Sequence, residues 1–187
     1  ILYFLYFDKN FLIVFFANFY TLFEYHLHVG IRKVEESDWP DVKMIYQLGI
    51  DTKVATFEIS PPEDYIQWIK KIDADNAFVF EDKNRVLGWI VLSKVSNRCA
   101  YEGVGEISIY VHPDHKQHQI GSNLYKHLEE KARESGYWTI QAQLFTENTA
   151  SKMFFEKHGF RQVGVREKIG QLGLSLIHIS EPTRHDQ

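Results

Sequence analysis

The chain has 187 residues, 44% of them hydrophobic and 25% charged, with a formal net charge of −4 at neutral pH. That length and apolar share support one globular domain with a buried core, and the acidic balance argues against a nucleic-acid partner. A single cysteine, Cys99, excludes an internal disulfide framework and fits a reducing, cytoplasmic setting; no motif around it marks it as a nucleophile.

The two ends differ from the middle. Seven of the 14 phenylalanines fall within residues 1–25. No basic region precedes this apolar run, so it is a poor signal peptide. The uncharged run from Asn10 to Phe23 is 14 residues long; at ~1.5 Å per residue it reaches about 21 Å, short of the ~30 Å hydrocarbon layer. A membrane anchor is therefore the weaker reading, and residues 1–28 are expected to be an upstream-translated extension. At the other end, LSLIHISEPTR (Leu174 to Arg184) resembles one reading frame of a transposon-type sequencing adapter. Residues 174–187 are expected to be foreign to the domain, which then spans residues 29–173.

Within that body, Ile31 to Val34 reads as a short strand. Ser37 or Asp38 can cap a helix with Pro40 in its first turn, and Val42, Ile45 and Leu48 continue it at helical spacing. PPEDYIQWIKKI reads as a second helix. NAFVFED and RVLGWIVLSKV are apolar runs joined by the polar turn Asp82–Asn84, a hairpin. A glycine-bearing loop, SNRCAYEGVGE, leads into the strand ISIYV. Ser122 to Ser135 is predicted helical, stopping at Gly136. The strand WTIQAQLF, the helix ENTASKMFFEKHG and the strand FRQVGVREKI follow. The order β-α-α-β-β-β-α-β-α-β predicts an α/β domain with a mixed sheet.

Residues 110–124, YVHPDHKQHQIGSNL, run from strand through polar loop to helix, with Leu124, Leu128 and Ala132 on one helix face. Free N–H groups at such a helix start can cradle a phosphate. Gly121 permits close approach, and Lys116 and His118 add positive charge. By itself the segment is equally a plain strand–helix connection. His112, His115 and His118 lie three apart, but Pro113 opposes the helix that would align them, so no metal site is expected.

A second segment, ENTASKMFFEKHGF, adds Asn148 and an aromatic helix closed by Gly–Phe. Together the two segments resemble the two halves of the acyl-CoA site in the GNAT family of N-acetyltransferases. The family loop reads Arg or Gln, two variable residues, Gly, one variable residue, then Gly or Ala. Here Lys116 takes the first position, Gln119 the first glycine and Gly121 the second. ATFEISPPEDYIQW and RCAYEGVGEISIYVHPDH narrow the resemblance to phosphinothricin acetyltransferases, over about Ile31 to Gln171.

The resemblance implies an α/β fold with a mixed, mostly antiparallel central sheet flanked by helices. It also implies acetyl-CoA as cosubstrate without a metal, a small-molecule amine acceptor and a homodimer. Glu106 would be the general base, with Glu102 its local rival, and Phe57, Arg98 and Tyr101 would lie near the acceptor. The loop of Lys116, Gln117, His118, Gln119, Ile120, Gly121 and Ser122 would hold the diphosphate; main-chain groups of Ile109 and Val111, and the side chain of Asn148, would hold the pantetheine arm. Two departures stand out. Gln119 puts a Cβ where glycine is usual, and Phe155 replaces a tyrosine that many relatives place there as proton donor. Both leave open an alternative, an acyl-CoA-binding domain without turnover. The resemblance finally implies a last strand between WTIQAQLF and FRQVGVREKI, expected to be missing here, although LSLIHIS alternates apolar and polar residues as that strand would.

Overall fold

The structure is a computed structural model that describes residues 29–115 and 119–185; expectations for residues 1–28 and for Lys116, Gln117 and His118 lie outside the described residues. The elements are β1 (Val29–Lys33), α1 (Trp39–Asp51), α2 (Tyr65–Ile69), β2 (Ala77–Asp82), β3 (Arg85–Lys94), β4 (Val104–Val111), α3 (Ile120–Glu134), β5 (Thr139–Gln141), β6 (Leu144–Phe145), α4 (Thr149–Lys157), β7 (Arg161–Leu172) and β8 (Ser175–His185). The predicted order is present. Strands β1 to β4 pair antiparallel in sequence, β4 pairs β5 in parallel, and β8 continues the open sheet antiparallel to β5 and β6, with β7 on its other side.

Local sequence explains most boundaries. Lys83 and Asn84 both have positive φ (51° and 60°), the conformation a two-residue hairpin turn demands between β2 and β3. Helix α3 ends before Gly136, whose φ of 88° suits glycine. Pro40 sits in the first turn of α1, but the expected side-chain cap there is absent. Asp38 instead accepts from the Glu35 backbone N–H (2.8 Å) and from the Arg32 guanidinium (2.7 Å). Helix α2 is shorter than PPEDYIQWIKKI suggested. It starts only at the Asp64 cap, whose carboxylate accepts from the Gln67 N–H at 2.8 Å. Beyond Ile69 the chain is drawn onto the sheet, where the Asp73 N–H bonds the Leu92 carbonyl at 2.8 Å.

WTIQAQLF was expected as one strand and is divided into β5 and β6. Its pairing with β8 keeps one register throughout, Gln141 opposite Thr183 and Leu144 opposite Ser180. Pro182 lies between. Its carbonyl still accepts from the Ala142 N–H (3.0 Å), but it has no N–H to return, so the ladder lapses for two residues.

The place where the resemblance implies a last strand, between WTIQAQLF and FRQVGVREKI, is filled by Ser175–His185, the LSLIHIS segment, as β8. The alternation noted in the sequence is what admits it. Ile177 and Ile179 are buried with Phe145, while Leu174 and Leu176 face solvent. Near its end Arg184 donates to Tyr125 Oη (3.2 Å) and to the His158 carbonyl, and pairs with Glu129 at 2.7 Å.

Two apolar layers sandwich the sheet. On one face Leu124, Leu128 and Ala132 of α3 and Phe155 of α4 pack on Ile90, Leu92 and Ile107. On the other, α1 and α2 bring Val42, Ile45 and Trp68 against Trp89 and Val91. Among the described residues no helix is long and apolar enough to cross a membrane.

Arg184 ties β8 to both α3 and α4. Arg184→Ala should cost roughly 1–3 kcal/mol by leaving charged and carbonyl partners unmatched, a fall in melting temperature of about 3–10 °C in a domain of this size. Thermal denaturation of both proteins checks it; an unchanged midpoint would show that β8 is not anchored this way.

Candidate active site

The site begins where two strands part. β4 and β5 pair in parallel at Val104–Thr139, Gly105–Ile140 and Glu106–Gln141, and no further. β4 runs on for five residues, Ile107 to Val111, still paired with β3 on one side and, among the described residues, with no strand on the other. Alternate backbone groups along that edge are left to find partners, which an extended ligand arm can supply as an added strand would. A cleft of about 390 Å³ fills the gap, walled by this edge, by Gly49 of α1 and Val54 and Ala55 after it, and by Gln143, Asn148 and Phe154.

Glu106 stands at the last paired position, the apex of the gap. Its Oε2 accepts from Gln141 Nε2 (3.0 Å) and from Gln143 Nε2 (2.8 Å). The rival, Glu102, is exposed and closes the short 3₁₀ turn Cys99–Tyr101, away from the β4–β5 pairing.

The open end of the cleft meets the start of α3. Gln119 has φ 59° and ψ 11°, the left-handed region, so the strain expected of a Cβ at that position is real. Buried Ile120 anchors the first turn in the core. A Cβ on Gly121 would stand 3.3 Å from the Phe154 ring and 3.7 Å from both Ile109 and Val111, so glycine keeps the cleft open against β4. Ser122 Oγ lies 3.0 Å from His158 Nε2. Burial, with Lys157, Lys126 and Arg184 nearby, holds the His158 pKa below its ordinary value. The start of α3 is the end of the cleft at which a helix dipole favours an anion.

Asn148 lines the cleft, but its amide is engaged within the protein: Oδ1 accepts from the Ser151 N–H and Nδ2 donates to the Val54 carbonyl, both at 3.1 Å. It thus caps α4 and pins the loop that forms the opposite wall. Phe155 is buried against Phe160 (4.8 Å) and borders the cleft with a ring that can donate no proton.

A second cleft, of about 380 Å³, lies on the other side of the apex, lined by Arg98, Tyr101, Val104 and Gln141 among others. Arg98 is exposed and has no carboxylate partner among the described residues. Arg98 and Tyr101 are thus brought together on one cleft wall. Phe57 is not with them. Its ring packs on Phe145 (4.6 Å) and over Gly170, where a Cβ would come within 2.5 Å of it.

Sequence reading passed over Gln141 and Gln143. The signal was present, since the two amides alternate with Ile140, Ala142 and Leu144 and so share one face of a strand. Among the described residues no group of histidine, cysteine and carboxylate side chains could hold a metal ion.

Comparison with known proteins follows this geometry. The sequence profile of the acetyltransferase (GNAT) family matches residues 42–160. A phosphinothricin N-acetyltransferase of Alcaligenes faecalis is 30% identical over 149 residues, covering 75% of this chain and 74% of that protein. An L-methionine sulfoximine/L-methionine sulfone acetyltransferase of Salmonella typhimurium is 26% identical over 115 residues, 54% of this chain and 67% of that protein. Among solved structures, an N-acetyltransferase of Staphylococcus aureus superposes with a TM-score of 0.77 at 25% identity, over 84% of this chain and 98% of the other. A GNAT phosphinothricin acetyltransferase of Sinorhizobium meliloti, solved with acetyl-CoA, shares the fold with a TM-score of 0.76 at 22% identity, over 84% of this chain and 88% of that one. A parted parallel pair with a carboxylate at its apex and a helix start at its mouth thus belongs to a chain of the acetyltransferase (GNAT) family, an acetyl-CoA-dependent N-acetyltransferase.

Proposed function

We propose that the chain moves acetyl from acetyl-CoA to the amino group of a small amino-acid-like acceptor, of the phosphinothricin or methionine sulfoximine type, with Glu106 as general base. The observation that carries this reading is that Glu106 is hydrogen-bonded to one wall residue of each cleft. Gln143, on the wall of the first cleft, and Gln141, on the wall of the second, both donate to its carboxylate.

In this reading acetyl-CoA lies along the free edge of β4. The main-chain groups of Ile109 and Val111 pair with its pantetheine arm, and the start of α3 around Gln119 to Ser122 takes its diphosphate. The second cleft takes the acceptor. The guanidinium of Arg98 binds the acceptor's carboxylate or phosphinate, a match to its fork geometry, and Tyr101 packs beside it.

An alkylammonium has no lone pair, so the amine must first lose a proton, which Glu106 takes directly or through one water. The nitrogen lone pair then forms the N–C bond at the thioester carbonyl, the nitrogen gives its second proton to water, and the C–S bond breaks to leave the neutral amide. The CoA thiolate leaves and takes its proton from solvent, since Phe155 offers none; free thiols titrate near ~8.5, so the thiolate is a tolerable leaving group. No metal enters these steps. A homodimer, as in the resemblance, is part of the same proposal.

Two measurements test it. Glu106→Gln should lower kcat by about 10²–10⁴-fold, the usual weight of a general base, with acetyl-CoA affinity changed less than about two-fold. CoA release with L-methionine sulfoximine or phosphinothricin reads it; an undiminished kcat removes Glu106 from the role. Gln119→Gly should relieve the left-handed strain, raise stability by about 0.5–1 kcal/mol and tighten acetyl-CoA binding a few-fold (roughly 2–5). Calorimetry that finds weaker binding would show that the glutamine side chain itself contacts the cofactor.

A further inference from the structure

We infer that Gln141 and Gln143 are positioning residues for the base, a pair of strand amides that fix the Glu106 carboxylate and present its second oxygen to the attacking amine. The inference rests on the reading of Glu106 given above and adds the device that orients it.

The geometry is specific. Gln141 is the parallel partner of Glu106, so their side chains leave neighbouring strands side by side. Gln143 lies two residues on, past the last pair, where β4 and β5 have already separated. Its amide nevertheless reaches back to the same oxygen, Oε2, at 2.8 Å, beside Gln141 at 3.0 Å. Ala142 between them is buried in the layer beneath α3, so both glutamines face the side on which Glu106 stands. An ionised carboxylate only accepts hydrogen bonds, which settles which end of each amide faces it. With both donors on Oε2, no group among the described residues bonds Oε1, the oxygen left for the incoming N–H.

Two donors do what one could not. A glutamate on a strand face has three freely turning side-chain bonds, and a single hydrogen bond leaves it able to swing about that contact. A second donor from a different direction removes the swing, which holds the base at the short, directed contact proton transfer needs. Gln143 borders the acetyl-CoA cleft and Gln141 the acceptor cleft, so the same pair ties the carboxylate to both walls.

The test uses near-isosteric replacements that donate nothing: Gln141→Met, Gln143→Met and the double variant, each alone and combined with Glu106→Gln. With L-methionine sulfoximine as acceptor, each single variant should lose about 5–20-fold in kcat and the double about 100-fold, with KM for acetyl-CoA within about two-fold. On the Glu106→Gln background the same changes should cost less than about two-fold, because residues acting through one group do not add. Losses that multiply on that background, or wild-type turnover in the double variant, would overturn the inference. So would loss of the melting-temperature rise given by acetyl-CoA, since the amides would then hold the cleft rather than the base. Independently of any acceptor, the side-chain amide resonances of both glutamines should move when Glu106 is replaced by leucine; unmoved resonances would also overturn it. The two ideas fail separately. Glu106→Gln at full rate refutes the base, whereas a slow Glu106→Gln with fast glutamine variants refutes only the positioning role.

Discussion

Everything in this molecule depends on the point at which β4 stops pairing with β5. A parallel pair that ends after three residues leaves a hydrogen-bonding edge inside the domain rather than at its rim. Buried or half-buried backbone groups must find partners, so such an edge is costly to keep open unless something else holds the strands apart. Here β5 and β6 are drawn toward β8, whose partners lie on the far side. The loop after α1, pinned by Asn148 to the Val54 carbonyl, forms the opposite wall. The gap is thus built by the elements around it, and its apex is where a charged side chain can sit between two clefts without lying in the core.

The apolar layers serve the same end. Gly121 and Gly49 keep their elements near β4 without filling the space. A Cβ on Gly49 would collide with the Tyr110 ring, at 2.4 Å. Tyr110 in turn stacks on Trp89 at 4.5 Å, and burial drives its hydroxyl pKa well above the usual value. It remains a neutral phenol that packs the strand against α1 rather than a group that exchanges protons.

Much of this was legible in the sequence, for physical reasons that differ by element. The hairpin between β2 and β3 and the stop of α3 at Gly136 are local, written in residues whose backbone preferences act within a few positions. The interest in Glu106 and in the loop before α3 came from the resemblance, and the fold puts Glu106 at the apex and Gly121 on the cleft wall. What escaped was set by distant partners. The break in WTIQAQLF depends on Pro182, some 40 residues later and on another strand. The short α2 depends on a bond from Asp73 to β3. The packing of Phe57 on the ring of Phe145 and over Gly170 is likewise set by residues far along the chain. The alternation of Gln141 and Gln143 was visible, yet its meaning depended on which residue stands opposite, and that is a property of strand register.

Backbone hydrogen exchange gives the most direct test of the central claim, that the free edge of β4 is a cofactor's partner. On adding acetyl-CoA, the gap-facing amides between Ile107 and Val111 and those at the start of α3 should slow by about ten-fold or more, while β1 and β2 stay unchanged. Saturating acetyl-CoA that left the β4 edge exchanging at its free rate would contradict the account.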